Sequence, residues 1–174
     1  MGSEMCIRDS DISIACYLFD AEPVSVLASG QAYVQKGVED VVFACLKFAD
    51  GRMAHIHVSW LDPHKIRKVT LVGSEKMIVF DDMEAAEKLR VYDKSAYVKQ
   101  SVDNFAEAIT VRTGDILIPK IPSAEPLRLE CQHFIECIAK DQPVRSDGAD
   151  GLRVVKVLEA GTKSLARGGE PVEV

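Results

Sequence analysis

Short apolar runs separated by turn residues fill the middle of the chain, from Val38 to Asp93. The runs are rich in valine, isoleucine, phenylalanine and tyrosine, whose side chains suit a pleated surface. The breaks between them are Asp50-Gly51, Asp62-Pro63 and Gly73-Ser74. Because glycine, aspartate and proline favour turns, this alternation predicts an antiparallel meander. The sheet is therefore the element on which the rest of the chain is expected to pack.

The predicted strands differ in how their two faces are occupied. Alternation gives the run at residues 54–60 one apolar face and one polar face: Ala54, Ile56, Val58 and Trp60 against His55, His57 and Ser59. The runs Val41 to Phe48 and Met77 to Phe80 are apolar on both faces, which indicates a sheet covered on both sides. We therefore predict an α/β (α+β) fold in which a large, mostly antiparallel sheet has helices on one face and an oligomer interface on the other.

A helix and a strand are predicted before the meander. Apolar residues recur at helical spacing on one face: Ile12, Ala15, Cys16 and Phe19. Ser10 or Asp9 is a suitable cap for this helix, and Pro23 ends it before a strand at residues 24–34. Residues 1–10 lack such periodicity, and we interpret them as a non-native leader to one domain at residues 11–174.

Two amphipathic helices are predicted near the end of the sequence. The first follows Ser123 and Pro126, and its apolar stripe is expected to lie flat on the sheet: Leu127, Cys131, Phe134, Ile135 and Ile138. The second is expected to be capped by Asp147 and Asp150 and stopped by Gly168-Gly169. Its predicted buried stripe is Leu152, Val155, Leu158, Thr162 and Leu165.

Composition excludes several classes of protein. The 174 residues are 47% hydrophobic and 28% charged, as is usual for a globular domain. A net charge of -6 argues against binding to nucleic acid or anionic membranes. The five cysteines are scattered without a C-x-x-C pair, so they indicate reduced core thiols rather than disulfides or a zinc site. With no membrane-length apolar run, the expected location is the cytoplasm.

One turn in the meander has the residues of an anion-binding site. Trp60, Lys65 and Arg67 lie close together in sequence, with Asp62 and His64 between them. Cations pair with anionic oxygens and an indole stacks on a sugar, so the turn is a candidate site for a charged sugar. The alternative is a salt-bridged turn with a core tryptophan and a snorkelling lysine.

Other candidate sites are weaker. His55-x-His57 has a spacing that a metal can use, but a polar sheet face is the preferred interpretation, and no metal is expected. Arg112-Thr113-Gly114 is a second anion-site candidate, with a solvated loop as its alternative. The chain contains neither G-x-G-x-x-G nor G-x-x-x-x-G-K-[ST], so it shows no phosphate or dinucleotide cradle.

Four segments together carry a resemblance to a known family. They are DISIACYLF, VSWLDPHKIRKVTLVGSEKMIVFDDMEAAEKLRVYDK, RTGDILIPKIPSAEPLRLECQHFIECI and SDGADGLRVVKVLEA. They resemble the C-terminal substrate domain of the Gfo/Idh/MocA oxidoreductases. They are most similar to the branch that oxidises UDP-N-acetylglucosamine, or its uronic acid, at C3 of the sugar.

The resemblance implies an NAD- or NADP-dependent parent enzyme whose cofactor is held mainly by a separate N-terminal Rossmann domain. Family members carry a Glu-Lys-Pro motif and an Asp-x-Gly-x-His motif, and this chain has neither. Ser10 stands at the position of the proton-transferring His and Cys6 at that of the first Asp, whereas Asp11 is retained. We therefore expect no catalytic residue and no bound cofactor in this chain alone.

The expected role is that of a substrate wall and subunit contact. The candidate substrate-binding residues are Asp11, Trp60, Lys65 and Arg67. The expected partners are a sugar nucleotide and further copies of the chain, as a dimer or tetramer formed through the sheet. The alternative hypothesis is a non-catalytic oligomerisation or sugar-binding module.

Overall fold

The structure is a computed structural model that describes residues 3–93, 95–98, 109–112, 114–122 and 124–174. The chain divides into two compact units. The first comprises Met1–Asp62 with Glu130–Val174, and the second comprises Pro63–Leu129. Each unit is described separately below.

The described elements are three helices and ten strands, nine of which follow one another between the first two helices. In chain order they are α1 (Ser3–Phe19), β1 (Pro23–Gln31), β2 (Val41–Phe48), β3 (Met53–Ser59), β4 (Lys68–Val72), β5 (Met77–Asp81), β6 (Leu89–Tyr92), β7 (Ser95–Val98), β8 (Ile109–Arg112), β9 (Ile116–Leu117), α2 (Pro126–Lys140), α3 (Gly148–Ala166) and β10 (Val172–Glu173). The predicted class, helices combined with antiparallel sheet, is confirmed.

The first unit is built on a four-stranded antiparallel sheet with the strand order β10-β1-β2-β3. Helices α1 and α3 pack on one face of this sheet, as predicted. Between them lies the core, in which Leu46, Val26 and Val157 are 0%, 1% and 2% exposed. Burying side chains of this size contributes roughly 1.5–3 kcal/mol each, so this layer is the main source of stability in the unit.

The opposite face of β1 to β3, called the outer face below, remains exposed in the described chain. The alternation predicted for β3 is confirmed, because His55 and His57 are exposed while Ile56 and Val58 line the helix side. Phe43 of β2 stacks on His57 with a centroid distance of 4.4 Å and an interplanar angle of 5°. The outer face therefore presents an aromatic cluster to its surroundings.

Helix α1 starts earlier than predicted. It begins at Ser3, so Ser10 and Asp9 lie in its interior and the prediction that one of them caps it is wrong. No glycine or proline interrupts residues 3–19, and the helix consequently continues through the expected boundary. It ends where Asp20 adopts a positive φ of 46° and the Ala21 N–H donates to the Cys16 carbonyl.

Helix α3 has the predicted cap but a different buried face. The Asp147 carboxylate accepts hydrogen bonds from Ala149 and Asp150 N–H, and Asp150 completes the capping box. The prediction that Leu152 and Val155 are buried is wrong, because both are more than half exposed. Instead, the buried residues of the helix are Val157, Ala160 and Ser164. The helix turns this face toward the sheet because the hydroxyl of its buried Ser164 bonds to the Ala28 N–H of β1.

Helix α2 begins at Pro126, as predicted, but its apolar stripe is not buried. Four of its large side chains are 59–68% exposed: Leu127, Phe134, Ile135 and Ile138. The prediction that this stripe lies on the sheet is therefore wrong. The buried residue is Cys137, whose thiol donates to the Pro143 carbonyl, and the Arg145 N–H donates to His133 Nε2. These bonds hold the other side of α2 against the segment that follows it. The predicted cap, Ser123, lies outside the described residues.

The second unit contains a four-stranded antiparallel sheet, β4-β5-β6-β9, and the hairpin β7-β8. The strands of the predicted meander are thus divided between two sheets. The break falls at residues 60–67, where Pro63 has no N–H to continue a ladder. Val79, at the centre of β5, is buried.

Four cysteines are free thiols: Cys16, Cys45, Cys131 and Cys137. Cys16 and Cys137 are buried, but Cys131 is exposed and therefore does not belong to the core. Burial raises the pKa of the Cys16 thiol, while the charge of Arg153 opposes this shift.

Candidate functional site

The candidate site lies at one end of the strands of the first sheet, where β2 begins. This end of the sheet is called the candidate edge below. The register pairs Gln31 with Val41 and Val41 with Ser59, so β1 and β3 both end at this edge. Trp60 is the next residue after β3, and it is 49% exposed. This exposure contradicts the alternative of a core tryptophan and leaves the indole available for stacking.

Asp40 is the buried charged residue of this edge. It is 8% exposed, and its carboxylate accepts hydrogen bonds from the N–H groups of Tyr33 and Val34, at 2.5 and 2.7 Å. Its own N–H donates to Gln31 O, and its carbonyl accepts from the Trp60 N–H, both at 2.9 Å. One residue therefore connects the end of β1, the following loop and the end of β3.

A small apolar cavity of about 40 Å³ lies in the core between the sheet and the helices. Ile12 of α1, Val42 of β2 and Val58 of β3 all contribute to its lining. The predicted residue Asp11 lies in α1, directly before Ile12, which is part of the core of the first unit.

Lys65 and Arg67 belong to the second unit. Arg67 forms an ion pair with Asp82 at 3.7 Å, and Lys88 donates a hydrogen bond to the same carboxylate at 3.0 Å. The Lys88 ammonium, with a smaller contribution from Arg67, holds the pKa of Asp82 below its ordinary value. Arg67 is therefore paired with a carboxylate outside the predicted turn, and both Lys65 and Arg67 are exposed.

The paired histidines form part of the aromatic cluster described above. Phe43 lies near parallel to both rings, with centroid distances of 4.4 Å to His57 and 6.3 Å to His55. Among the residues with described positions, no group of three or more His, Cys, Asp or Glu side chains is arranged to hold a metal ion. Nor does that part of the chain contain a helix long and apolar enough to cross a membrane.

Sequence reasoning missed two residues of this edge, Tyr33 and Asp40. Tyr33 is 70% exposed and lies in the loop that the Asp40 carboxylate holds. A carboxylate directly before an apolar strand is a signal for a side-chain-bonded turn, but the sequence does not show which amides it binds. The other anion-site candidate cannot be compared, because Thr113 and the side chain of Arg112 lie outside the described residues.

The exposed groups at this edge are of the kind that bind ring-containing ligands. The edge offers an exposed indole and an exposed phenol, which suit the flat faces of a sugar or nucleobase. Phenol and indole groups also provide hydrogen-bonding atoms at the edge of each ring. The described geometry therefore favours recognition of a ring-containing ligand.

Residues 11–79 match a family model described as the GFO/IDH/MocA C-terminal domain. The matched segment contains α1 from Asp11 onward, the candidate edge and strands β1 to β4. No curated protein matches the chain.

Solved structures share its fold. The UDP-N-acetylglucosamine 3-dehydrogenase GnnA from Acidithiobacillus ferrooxidans is 21% identical, with a TM-score of 0.71 over 92% of this chain and 47% of that one. A levoglucosan dehydrogenase in complex with NADH and levoglucosan is 22% identical, with a TM-score of 0.73 over 97% and 49% of the two chains.

The WlbA dehydrogenase from Bordetella pertussis, in complex with NADH and UDP-GlcNAcA, is 21% identical, with a TM-score of 0.63 over 95% and 43%. The chain therefore spans about half the length of the structures it matches. What these comparisons establish is a shared fold, with a Gfo/Idh/MocA C-terminal domain match over residues 11–79.

Proposed function

We propose that the chain forms the substrate wall and subunit contact of a Gfo/Idh/MocA oxidoreductase. The parent enzyme uses NAD or NADP to oxidise UDP-N-acetylglucosamine, or its uronic acid, at C3 of the sugar. The observation that carries this proposal is that the family match at residues 11–79 coincides with the edge that exposes Trp60. Further support comes from the similar structures, which are dehydrogenases, two of them bound to NADH and a sugar or sugar nucleotide.

The nicotinamide cofactor belongs to a separate Rossmann domain in this proposal. The N-terminus of α3 does not suit a dinucleotide, because it is occupied by the carboxylates of Asp147 and Asp150. These groups repel a pyrophosphate at the position where helix amides would otherwise bind one. We also propose that residues 1–10 are a non-native leader and that the chain alone is inactive.

Four residues are assigned to the sugar nucleotide: Asp11, Trp60, Lys65 and Arg67. Trp60 stacks on the sugar, and the two cations pair with the anionic oxygens of the diphosphate or uronate. Asp11 accepts hydrogen bonds from sugar hydroxyl groups. Arg67 already has a carboxylate partner in Asp82, so its contribution to ligand binding is expected to be smaller than that of Lys65.

The outer face is assigned to contact between copies of the chain, in a dimer or tetramer. Phe43 is 46% exposed there and is flanked by His55 and His57. Exposed aromatic rings in the centre of a flat surface are typical of protein interfaces. The proposed assembly would bury this aromatic cluster between two sheets.

Calorimetric titration of the purified chain tests the ligand assignment. We expect weak binding of UDP-N-acetylglucosamine or its uronic acid and no binding of NADH. Lys65→Ala should weaken sugar-nucleotide binding, because it removes a cation that faces the diphosphate. Lys76→Ala is the matched control, since this exposed lysine of the same unit is not assigned to the ligand. Micromolar affinity for NADH, or equal effects of the two substitutions, would contradict the proposal.

A further inference from the structure

We propose that Asp40 is a positioning residue that fixes an aromatic rim, consisting of Tyr33 and Trp60, at the edge where β2 begins. The rim takes the flat ring of the ligand, either the uracil base or the pyranose of a UDP-sugar. The identity of this ligand rests on the proposed function. The position of the rim does not, because it follows from contacts within the first unit.

The first contact is made by the Asp40 side chain. Its carboxylate accepts both the Tyr33 N–H at 2.5 Å and the Val34 N–H at 2.7 Å through the same oxygen. Hydrogen bonds to a charged acceptor are about twice as strong as those between neutral groups. Because Asp40 is 8% exposed, water competes little for these bonds. The backbone that carries Tyr33 is therefore tied to a buried anchor.

The second contact is made by the Asp40 backbone. Its carbonyl accepts the Trp60 N–H at 2.9 Å, and its N–H donates to Gln31 O at 2.9 Å. These two bonds lie just outside the Val41 pairings with Ser59 and Gln31 and extend the ladders by one step. A shift of Asp40 would consequently displace the backbone of Trp60 as well as that of Tyr33.

The loop between the two anchored segments is closed by a tight turn. Gln35 and Val38 form an isolated antiparallel bridge, and Gly37 adopts a positive φ of 84° that favours glycine. The turn returns the chain to Asp40 within a few residues. Tyr33 and Trp60 are exposed, at 70% and 49%, and the segments that carry them share Asp40 as a buried anchor.

Two exposed aromatic residues on a fixed backbone are suited to ring recognition. Tyrosine and tryptophan provide apolar faces and lose little side-chain entropy when they bind, because each has only two side-chain torsions. Stacking of one base on an aromatic side chain contributes about 1–3 kcal/mol by alanine substitution. In this proposal the rim supplies affinity for the ligand by stacking. The first unit then needs no cation at this edge.

Fluorescence tests the positioning role directly, because Trp60 is the only tryptophan of the chain. In Asp40→Asn, the two amide hydrogens that share one carboxylate oxygen would face either a neutral amide oxygen, which is a weaker acceptor, or the new NH₂ group, which cannot accept them. We expect acrylamide to quench Trp60 differently in the ligand-free variant than in the wild-type chain. We also expect the affinity for the UDP-sugar to fall about tenfold, which is within the range for losing the stacking of one ring. Unchanged quenching in a folded variant would overturn the positioning role.

Asp50→Asn is the matched control. Asp50 lies in the turn at the opposite end of the β2–β3 hairpin, where its carboxylate binds the N–H and guanidinium of Arg52. This substitution should leave both the quenching of Trp60 and the ligand affinity at their wild-type values. A change equal to that of Asp40→Asn would show that any weakening of the hairpin moves Trp60, and would overturn the specific role of Asp40.

Tyr33→Ala keeps the buried anchor and provides a second test if Asp40→Asn does not fold. We expect it to weaken UDP-sugar binding about tenfold while leaving the quenching of Trp60 unchanged. Wild-type affinity in this variant would overturn the rim as a binding surface. If the wild-type chain itself binds no UDP-sugar, the proposed function fails, and the ligand-free quenching of Trp60 still decides the role of Asp40.

Discussion

Ser164 shows how a single buried hydroxyl fixes the relation between a helix and a sheet. It is 0% exposed, and its Oγ accepts the Ala28 N–H of β1 at 2.9 Å and donates to the Glu170 carbonyl at 2.6 Å. Ser164→Ala would leave both backbone groups without this partner. We expect the free energy of unfolding to fall by about 1–3 kcal/mol, measured by urea denaturation followed by circular dichroism.

Thr162→Ala is the control for this prediction. Thr162 lies in the same helix, but it is exposed and its hydroxyl donates to the Leu158 carbonyl of its own helix. Its substitution should change the free energy of unfolding by no more than about 0.5 kcal/mol. An equal loss in both variants would show that the hydroxyl bonds of Ser164 have no special role.

At the scale of one element, the start of α3 depends on its cap. The Asp147 carboxylate accepts two backbone N–H groups of the first turn, and the Asp150 side chain accepts the Asp147 N–H. Asp147→Ala removes the first part of this capping box, and we expect a loss of about 0.5–2 kcal/mol in the free energy of unfolding. Thermal and urea denaturation would measure it.

Glu159→Ala is the comparison within the same helix. Glu159 forms an exposed ion pair with Lys163 at 2.7 Å, one turn further along. The hydrogen bond and charge of Lys163 hold the pKa of Glu159 below its ordinary value. Because exposed pairs contribute little, this substitution should cost clearly less than Asp147→Ala. The reverse order would contradict the importance assigned to the cap.

Local signals in the sequence predicted the elements well and their orientation less well. The apolar runs predicted β2 and β3 to within one residue, and capping residues predicted the start of α3. The buried face of α3 was predicted from its large apolar residues, but the helix turns its smaller Val157, Ala160 and Ser164 inward. The hydrogen bond between Ser164 and β1 joins residues that are distant in sequence, so the periodicity of the helix could not predict it.

The candidate site shows the same difference between local signals, which the sequence carries, and contacts between distant residues, which it does not. The family resemblance indicated Asp11 and the composition of the turn indicated Trp60, and both assignments stay predictions. It did not indicate Asp40, because the role of that residue depends on the meeting of three separate segments. Lys65 and Arg67 were grouped with Trp60 by sequence distance, whereas the structure assigns them to another compact unit.

At the scale of the whole molecule, two apolar surfaces of the described chain are more exposed than a stable domain usually leaves them. One is the stripe of α2, and the other is the outer face with Phe43 at its centre. The chain also spans about half the length of the similar structures. Contacts with other polypeptide segments or subunits would account for apolar side chains on both surfaces.

The outer face provides the last prediction. In an interface with two-fold symmetry the same patch meets itself, so one substitution places two charges together. Phe43→Arg should therefore convert a wild-type dimer or tetramer into monomers, measured by sedimentation velocity. Met83→Arg is the control, because Met83 is also exposed but lies in the turn after β5. A monomeric wild-type chain, or dissociation by both substitutions, would contradict the assignment of this face to subunit contact.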